Sequence, residues 1–352
     1  MAAIGLAGAG LVAAAAMCLG GGCSIGYYAQ SVSGHLDLLN RSRPVTEWVA
    51  DPATPPALRE RLQLTQRMRE FAVTELKLPE NNSYRGYSDL RRGAAVWNVV
   101  AAPELSLTLK TWCFPVMGCV GYRGYFDRAD ADALAAQLKA EGYEVSVYGV
   151  PAYSTLGWTD WLGGDPLLNT FVNWPEGELA RLLFHELAHQ VVYAADDTMF
   201  NESFATAVER LGGQRWLATQ AGPQARADYA ALDARRQDFR ALTLAYRQKF
   251  DALYRSSAGD ADKRAGKAAL MNQLRADYDR LKATRWDGFA GYDGWFERAN
   301  NAAFGVQAAY NELVPGFERV FNEQGADFTR FYARVGELAA LPKAQRRATL
   351  QP

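Results

Sequence analysis

Between Asn173 and Gly213 the apolar positions recur at helical spacing in two consecutive runs. In the first, Leu179, Leu182, Leu183 and Leu187 mark one buried face. Asn173-Trp-Pro-Glu176 opens it with a capping Asn, an early Pro and a Glu on the first turn. After Tyr193 the turn Ala-Ala-Asp-Asp is short, and Asp197 or Thr198 is placed to cap a second helix that ends at Gly212-Gly213. So short a connection makes the two helices antiparallel neighbours.

Upstream, Tyr28, Val32, Leu36 and Leu39 give a helix over 27–40, with His35 on it and no metal partner for His35 in view. Asp51-Pro-Ala-Thr-Pro-Pro56 breaks the chain and starts a helix running to about Lys77. A β-rich region follows. Residues 94–101 and 105–112 read as strands joined like a hairpin, and 120–126 as a third with glycines at 118, 121 and 124. Asp127 caps a helix over 128–141 that Gly142 ends, and 143–150 alternates as a strand. Residues 145–158 are the stretch placed to hold an extended peptide by its backbone. A plain core strand and loop is the competing reading. From 214 to about 290 the chain reads as a long helical hairpin broken at 256–260, with helices at 293–312, 315–323 and 326–339 after it.

The pattern predicts a mainly helical α+β protein, a small sheet packed on the two central helices and a helical C-terminal part closing a cleft. The expected boundaries are 1–22 for an apolar leader, 23–92 for an N-terminal helical segment, 93–213 for the central core and 214–352 for the rest. Composition changes little in this picture. Half of the 352 residues are hydrophobic and the formal charge is −1, which offers no basic surface for nucleic acid. Nothing in the pattern points to a protein partner.

The leader adds a location. Residues 4–22 are apolar or small and run into Gly22-Cys23-Ser24, which looks like a bacterial lipoprotein signal with Cys23 as the lipidated residue. A retained membrane helix is the alternative. Either form anchors the chain to a membrane by its N-terminus, with the body facing the periplasm or the cell exterior. Cys113 and Cys119 are then free to close a small disulfide loop, or else remain as two buried thiols.

The chemistry sits on the first central helix. His185-Glu-Leu-Ala-His189 is a His-Glu-x-x-His motif, and the chain contains three histidines in all. Positions four apart share one helix face, so both rings can reach one zinc ion, with Glu186 beside them as general base for a water. A catalytic zinc takes three protein ligands and keeps one position open. His35 lies in the membrane-proximal segment, so the third ligand falls to a carboxylate. Glu202 and Glu209, seven apart on one face of the second helix, are the two contenders.

Asn201-Glu202-Ser-Phe-Ala205 closely resembles the Asn-Glu-Gly-Phe-Ala element of zinc aminopeptidases in the glutamate-zincin group. The resemblance implies a zincin-like core, Glu202 as ligand and Glu209 as a residue behind it that supports the site. The interval from His189 to Glu202, residues 190–201, is shorter than in the better-known members. The chain is also similar, over nearly its full length, to a bacterial family of zinc aminopeptidases that begin with a lipoprotein signal. Gly118-Cys-Val-Gly-Tyr-Arg-Gly-Tyr-Phe126, Asp197-Thr-Met-Phe200 and Asn300-Asn-Ala-Ala-Phe304 through Val314-Pro-Gly-Phe317 carry that likeness alongside the two helices.

The implied activity is zinc-dependent peptide hydrolysis. The alternatives are an envelope endopeptidase or processing protease with the same site, and a scaffold lipoprotein with a structural metal. The familiar amine-binding motif Gly-x-Met-Glu-Asn is missing; Glu176, Glu178 and Asp165 lie in its general region. Tyr310, then Tyr292, are the residues expected to stabilise the transition state, as a tyrosine downstream of the motif.

Overall fold

Two prolines set the first long helix of the body. Pro55 and Pro56 cannot continue a helix from upstream but suit its first turn, so α3 (Pro56–Thr74) starts there. It follows α1 (Ile25–Asn40), the two-residue β1 (Arg43–Pro44) and α2 (Val45–Ala50), the last of which sequence reasoning did not foresee. The computed structural model describes residues 25–114, 118–152, 164–195, 197–307 and 313–351. Cys23 and the leader lie outside the described residues, as do 153–158 of the expected peptide-holding stretch, whose first part, 145–150, is strand. Among the described residues no helix is long and apolar enough to cross a membrane.

The β-rich region is three small sheets. β2 (Gly86–Ser88) joins β1 antiparallel and β8 (Leu167–Leu168) parallel. The second sheet has the order β6-β3-β7, with β3 (Val96–Pro103) antiparallel to both β6 (Arg123–Tyr125) and β7 (Tyr143–Val150). The third is the hairpin β4 (Trp112–Phe114) and β5 (Gly118–Val120). Helix α4 (Arg128–Ala140) covers one face of the second sheet, meeting Val99, Ala101 and Val145. Asp127 accepts from the Ala129 amide at 2.8 Å, and Gly142 takes φ +88° just past the helix end, as the sequence predicts.

Two strand expectations are corrected. Residues 105–111 form no strand; Leu107 leaves the sheet to enter the core of the helical hairpin, so β6 takes the place beside β3. The expected strand 120–126 is interrupted at Gly121-Tyr122, which separates β5 from β6.

The central helices are α5 (Glu176–Ala188) and α6 (Thr198–Thr219). Pro175, not Asn173, occupies the cap of α5, its carbonyl accepting from the Leu179 amide at 2.9 Å. The second helix does not stop at Gly212-Gly213. A Cβ at Gly212 would lie 2.6 Å from Leu76 Cδ1 and one at Gly213 2.8 Å from Arg181 Cγ, so these glycines permit close packing instead of ending the helix. The main core threads through α3, α5 and α6, with Phe71 stacked on Phe184 and set edge-on to Trp216.

The predicted hairpin is α7 (Pro223–Arg255) and α8 (Asp260–Arg285), turning at 256–259. It holds a second core around Phe250, Leu274, Tyr278 and Trp286. The expected helix 293–312 is split into α9 (Asp293–Arg298) and α10 (Asn301–Gln307), with 308–312 outside the described residues. The chain ends with α11 (Val314–Glu323), α12 (Phe328–Ala340) and the unforeseen α13 (Lys343–Leu350). Phe317 of α11 packs on Phe200 and Phe204, which backs α6 against the core.

Candidate metal centre

Helix α5 buries Leu179, Leu183, Phe184 and Leu187 completely and leaves His185 and Glu186 half-buried on its flank. His189 is the C-cap residue with helical dihedrals, its amide bonded back to His185 and Leu187 carbonyls. The two imidazoles therefore remain one helical turn apart. Their ring centroids are 4.8 Å apart with planes at 82°, and the two Nε2 atoms face each other at 3.2 Å.

Helix α6 supplies the carboxylates. Asp197 caps it, accepting from the Phe200 amide, and is itself gripped by Arg347 at 2.7 Å. Asn201 clasps the inter-helix turn, donating to the Ala194 carbonyl at 2.9 Å and accepting from the Ala194 amide at 2.8 Å. The next residue, Glu202, brings Oε2 to 3.3 Å from His185 Nε2 and 3.7 Å from His189 Nε2. Ligand atoms of His185, His189 and Glu202 all lie within 4.8 Å of one another, and this group could hold a metal ion.

Glu209, two turns on, meets the other side of the His185 ring. Its Oε2 accepts from His185 Nδ1 at 2.9 Å, and its Oε1 accepts from the buried Arg181 guanidinium. Arg181 also faces Asp233 of α7 at 3.7 Å, and Asp233 pairs with Arg236 at 3.0 Å. A proton on Nδ1, given to Glu209, leaves His185 Nε2 with its lone pair. That lone pair then faces a second imidazole nitrogen and a carboxylate oxygen. Three electron-pair donors pointed at one spot fit a cation, and a two-nitrogen, one-oxygen set suits zinc-like divalent ions.

The electrostatics agree. Burial disfavours the His185 imidazolium, yet hydrogen bonds to Glu202 and Glu209 outweigh it and hold its pKa well above the usual value. Burial acts to raise the Glu202 carboxyl, but the two histidines hold it far below its usual range. Glu209 likewise resists burial through Arg181 and His185 and sits at about 2. Negative charge concentrated enough to draw a proton into this spot also favours a divalent cation there. Glu186 is different: burial raises its pKa, the histidines only partly countering it. A carboxyl shifted upward suits proton transfer.

Residues 26–350 match the family described as "Putative aminopeptidase". The chain belongs to that family. No curated protein and no solved structure matches it. Membership supports peptide hydrolysis in general.

Within that family setting, the other expected residues have plain positions. His35 is half-buried on α1 and is not part of the ligand group. Cys113 and Cys119 are disulfide-bonded across β4 and β5. Glu176 accepts from the Trp216 indole at 2.9 Å, Glu178 is ion-paired with Arg236, and Asp165 is wholly buried. Glu176 and Glu178 are thus engaged by neighbouring side chains. Tyr292 is a core aromatic stacked on Phe239 at 4.3 Å. Tyr310 lies outside the described residues.

Sequence reasoning missed Arg181, Asn201's clasp, and the tyrosines Tyr122 and Tyr148, on both of which the Glu202 charge bears. Helical spacing could have found Arg181, which is four before His185 and so lies on the same face of α5. Asp233 on α7 carries no local signal at all.

Proposed function

We propose that the chain is a zinc-dependent aminopeptidase with a glutamate-zincin core, in which His185, His189 and Glu202 hold the metal and Glu186 is the general base. The convergence of two Nε2 atoms and one carboxylate oxygen, with Glu209 fixing the far nitrogen of His185, carries the reading. When bound, zinc supplies Lewis acidity toward the scissile carbonyl and the reacting water. Glu186 takes a proton from the attacking water and delivers it to the leaving amine. Glu209 and Arg181 hold His185 in the tautomer that presents Nε2.

The proposal includes a place in the cell envelope, with Cys23 as the lipidated anchor and the body outside the cytoplasm. The Cys113–Cys119 disulfide favours an oxidising compartment.

One observation favours an endopeptidase with the same site as the second reading. Glu176 and Glu178, which lie in the general region where the missing amine-binding motif would stand, are engaged by Trp216 and Arg236. The test compares free-amine and N-blocked peptides on the purified soluble body, with bound zinc quantified and Glu186→Gln as control. Selective turnover of free-amine peptides supports the aminopeptidase. Equal turnover of blocked peptides moves the assignment to an endopeptidase, and no turnover of any peptide removes the enzyme reading.

A further inference from the structure

The two histidines of the site are held in different ways. His185 gives its Nδ1 to Glu209, and Arg181 stands behind that carboxylate. His189 has no such support on its ring. It is 7% exposed, and among the described residues nothing hydrogen-bonds its buried Nδ1. It also stands at the C-cap of α5, past the last helical residue Ala188, where helices tend to fray. A ligand whose second nitrogen is unheld must be placed through its backbone and its neighbours.

The next residue, Gln190, supplies that placement. Its Oε1 accepts from Asn81 Nδ2 at 2.6 Å, and its Nε2 donates to Ser83 Oγ at 3.1 Å. Both ends of one amide are thus committed to a loop more than a hundred residues upstream. The loop has a firm mount of its own. Arg69 of α3, 1% exposed, donates to the carbonyls of Pro79 at 2.6 Å and Ser83 at 3.0 Å, and to Asn81 Oδ1 at 3.0 Å. Asn81 Oδ1 also accepts from the Ser83 amide at 3.1 Å. On the other side, Ser83 Oγ accepts from the Asp165 amide at 3.3 Å, and the Tyr84 amide donates to the Asp165 carbonyl at 2.6 Å. Gly164, at φ +72°, lets the two segments close, since a Cβ there would lie 2.5 Å from the Ser83 nitrogen. A buried network with this many of its groups paired holds a loop in one geometry.

We propose that Gln190 is the positioning residue of His189. Through Asn81 and Ser83 it locks the end of α5 to the loop mounted on Arg69, and so holds the second imidazole where its Nε2 faces His185 and Glu202. Glu209 fixes His185 through the ring, whereas Gln190 fixes His189 through the backbone. Without the clasp, the last turn of α5 is free to fray, and the cost of ordering His189 then falls on metal binding. The assignment rests on the metal reading above.

The test measures zinc affinity by chelator competition, the visible spectrum of the cobalt(II)-substituted protein, and the melting temperature of the metal-free protein. Gln190→Met keeps the bulk of the side chain and removes both hydrogen bonds. It is expected to weaken zinc binding by about 10-fold and to alter the cobalt d–d bands, which report ligand geometry. Asn81→Ala breaks the same clasp from the other side. The double variant is therefore expected to bind zinc within about twofold of the weaker single variant. Leu274→Ala, in the core of the helical hairpin, controls for lost stability alone. It is expected to lower the melting temperature and leave zinc affinity and the cobalt bands unchanged. Wild-type affinity and cobalt bands in Gln190→Met overturn the proposal and leave the metal reading standing. Losses that multiply in the double variant, or that Leu274→Ala reproduces, overturn it as well. A wild type that binds no zinc overturns both.

Discussion

Replacing Glu209 by Gln separates the proposed metal ligand, Glu202, from the residue proposed to support the site. The substitution keeps an oxygen for His185 Nδ1 and removes the charge beside Arg181, whose side chain is 7% exposed. The size of the effect follows from two routes. The Glu209 pKa falls from 4.5 to about 2, a difference of about 2.5 units, or about 3 kcal/mol of preference for the charged form. Breaking a buried ion pair by removing one partner costs about 3–5 kcal/mol. Asp233, 3.7 Å from Arg181, retains part of the compensation, so about 3 kcal/mol is expected from urea unfolding of the metal-free protein at neutral pH. Zinc affinity falls by about 10- to 100-fold, the usual effect of losing a carboxylate behind a histidine ligand. Glu202→Gln is expected to lose zinc far more severely, because it removes the proposed ligand and its charge. Chelator competition measures both affinities. A Glu209→Gln protein that loses zinc more severely than Glu202→Gln would refute the assignment of Glu202 as ligand.

Three further outcomes are expected. Because Glu209 has a depressed pKa, its contribution is complete above the ordinary carboxylate range and is lost as pH falls toward about 2. The urea midpoint of metal-free wild type therefore drops through that acid window, and Glu209→Gln lacks this part of the drop. Asn201→Ala strips both partners from the buried Ala194 backbone and is expected to cost about 2–4 kcal/mol in the same assay, with weaker zinc binding. Gly212→Ala distinguishes packing from helix termination by its sign. A helix propensity effect alone would stabilise by about 1 kcal/mol, whereas a Cβ 2.6 Å from Leu76 and 3.0 Å from Phe184 is expected to destabilise by about 1–2 kcal/mol in thermal melts.

The parts of the fold that local pattern specifies were legible. Asp127 and Gly142 bracket α4 because an N-cap and a left-handed C-terminal residue are decided within a few positions. The helical hairpin and the strand 143–150 follow from periodicity in the same way, whereas the Cys113–Cys119 bond was one of two readings that spacing left open. What failed depended on tertiary partners. Leu105–Lys110 has strand composition, but Leu107 finds a core made by α7 and α8 more than a hundred residues later. Gly212-Gly213 has the look of a terminus, and only Leu76 and Arg181 reveal it as a contact. At the site, His185, Glu186 and His189 share one helical turn and could be read directly. Glu202 needed the likeness of Asn201-Glu202 to a known element, and Asp233 could not be read, since nothing in sequence ties α7 to His185.

The short interval between His189 and Glu202 also receives a physical explanation. A turn with few residues can place a carboxylate opposite two histidines only if its geometry is fixed, since a loose turn lets α6 slide along α5. Three contacts prevent that here. Asn201 closes on both backbone groups of Ala194, Asp197 caps the first turn of α6, and Arg347 of α13 holds Asp197 in place. Gly212 and Gly213 then let the far end of α6 settle tightly against its neighbours. With both ends fixed, the seven-residue spacing does the rest. Glu202 and Glu209 lie on one face two turns apart, and the His185 ring fits between them with Nε2 toward one and Nδ1 toward the other. The Asn of Asn201-Glu202 therefore has a structural task, which is to set the register that brings its neighbour, the proposed ligand, up to the two histidines.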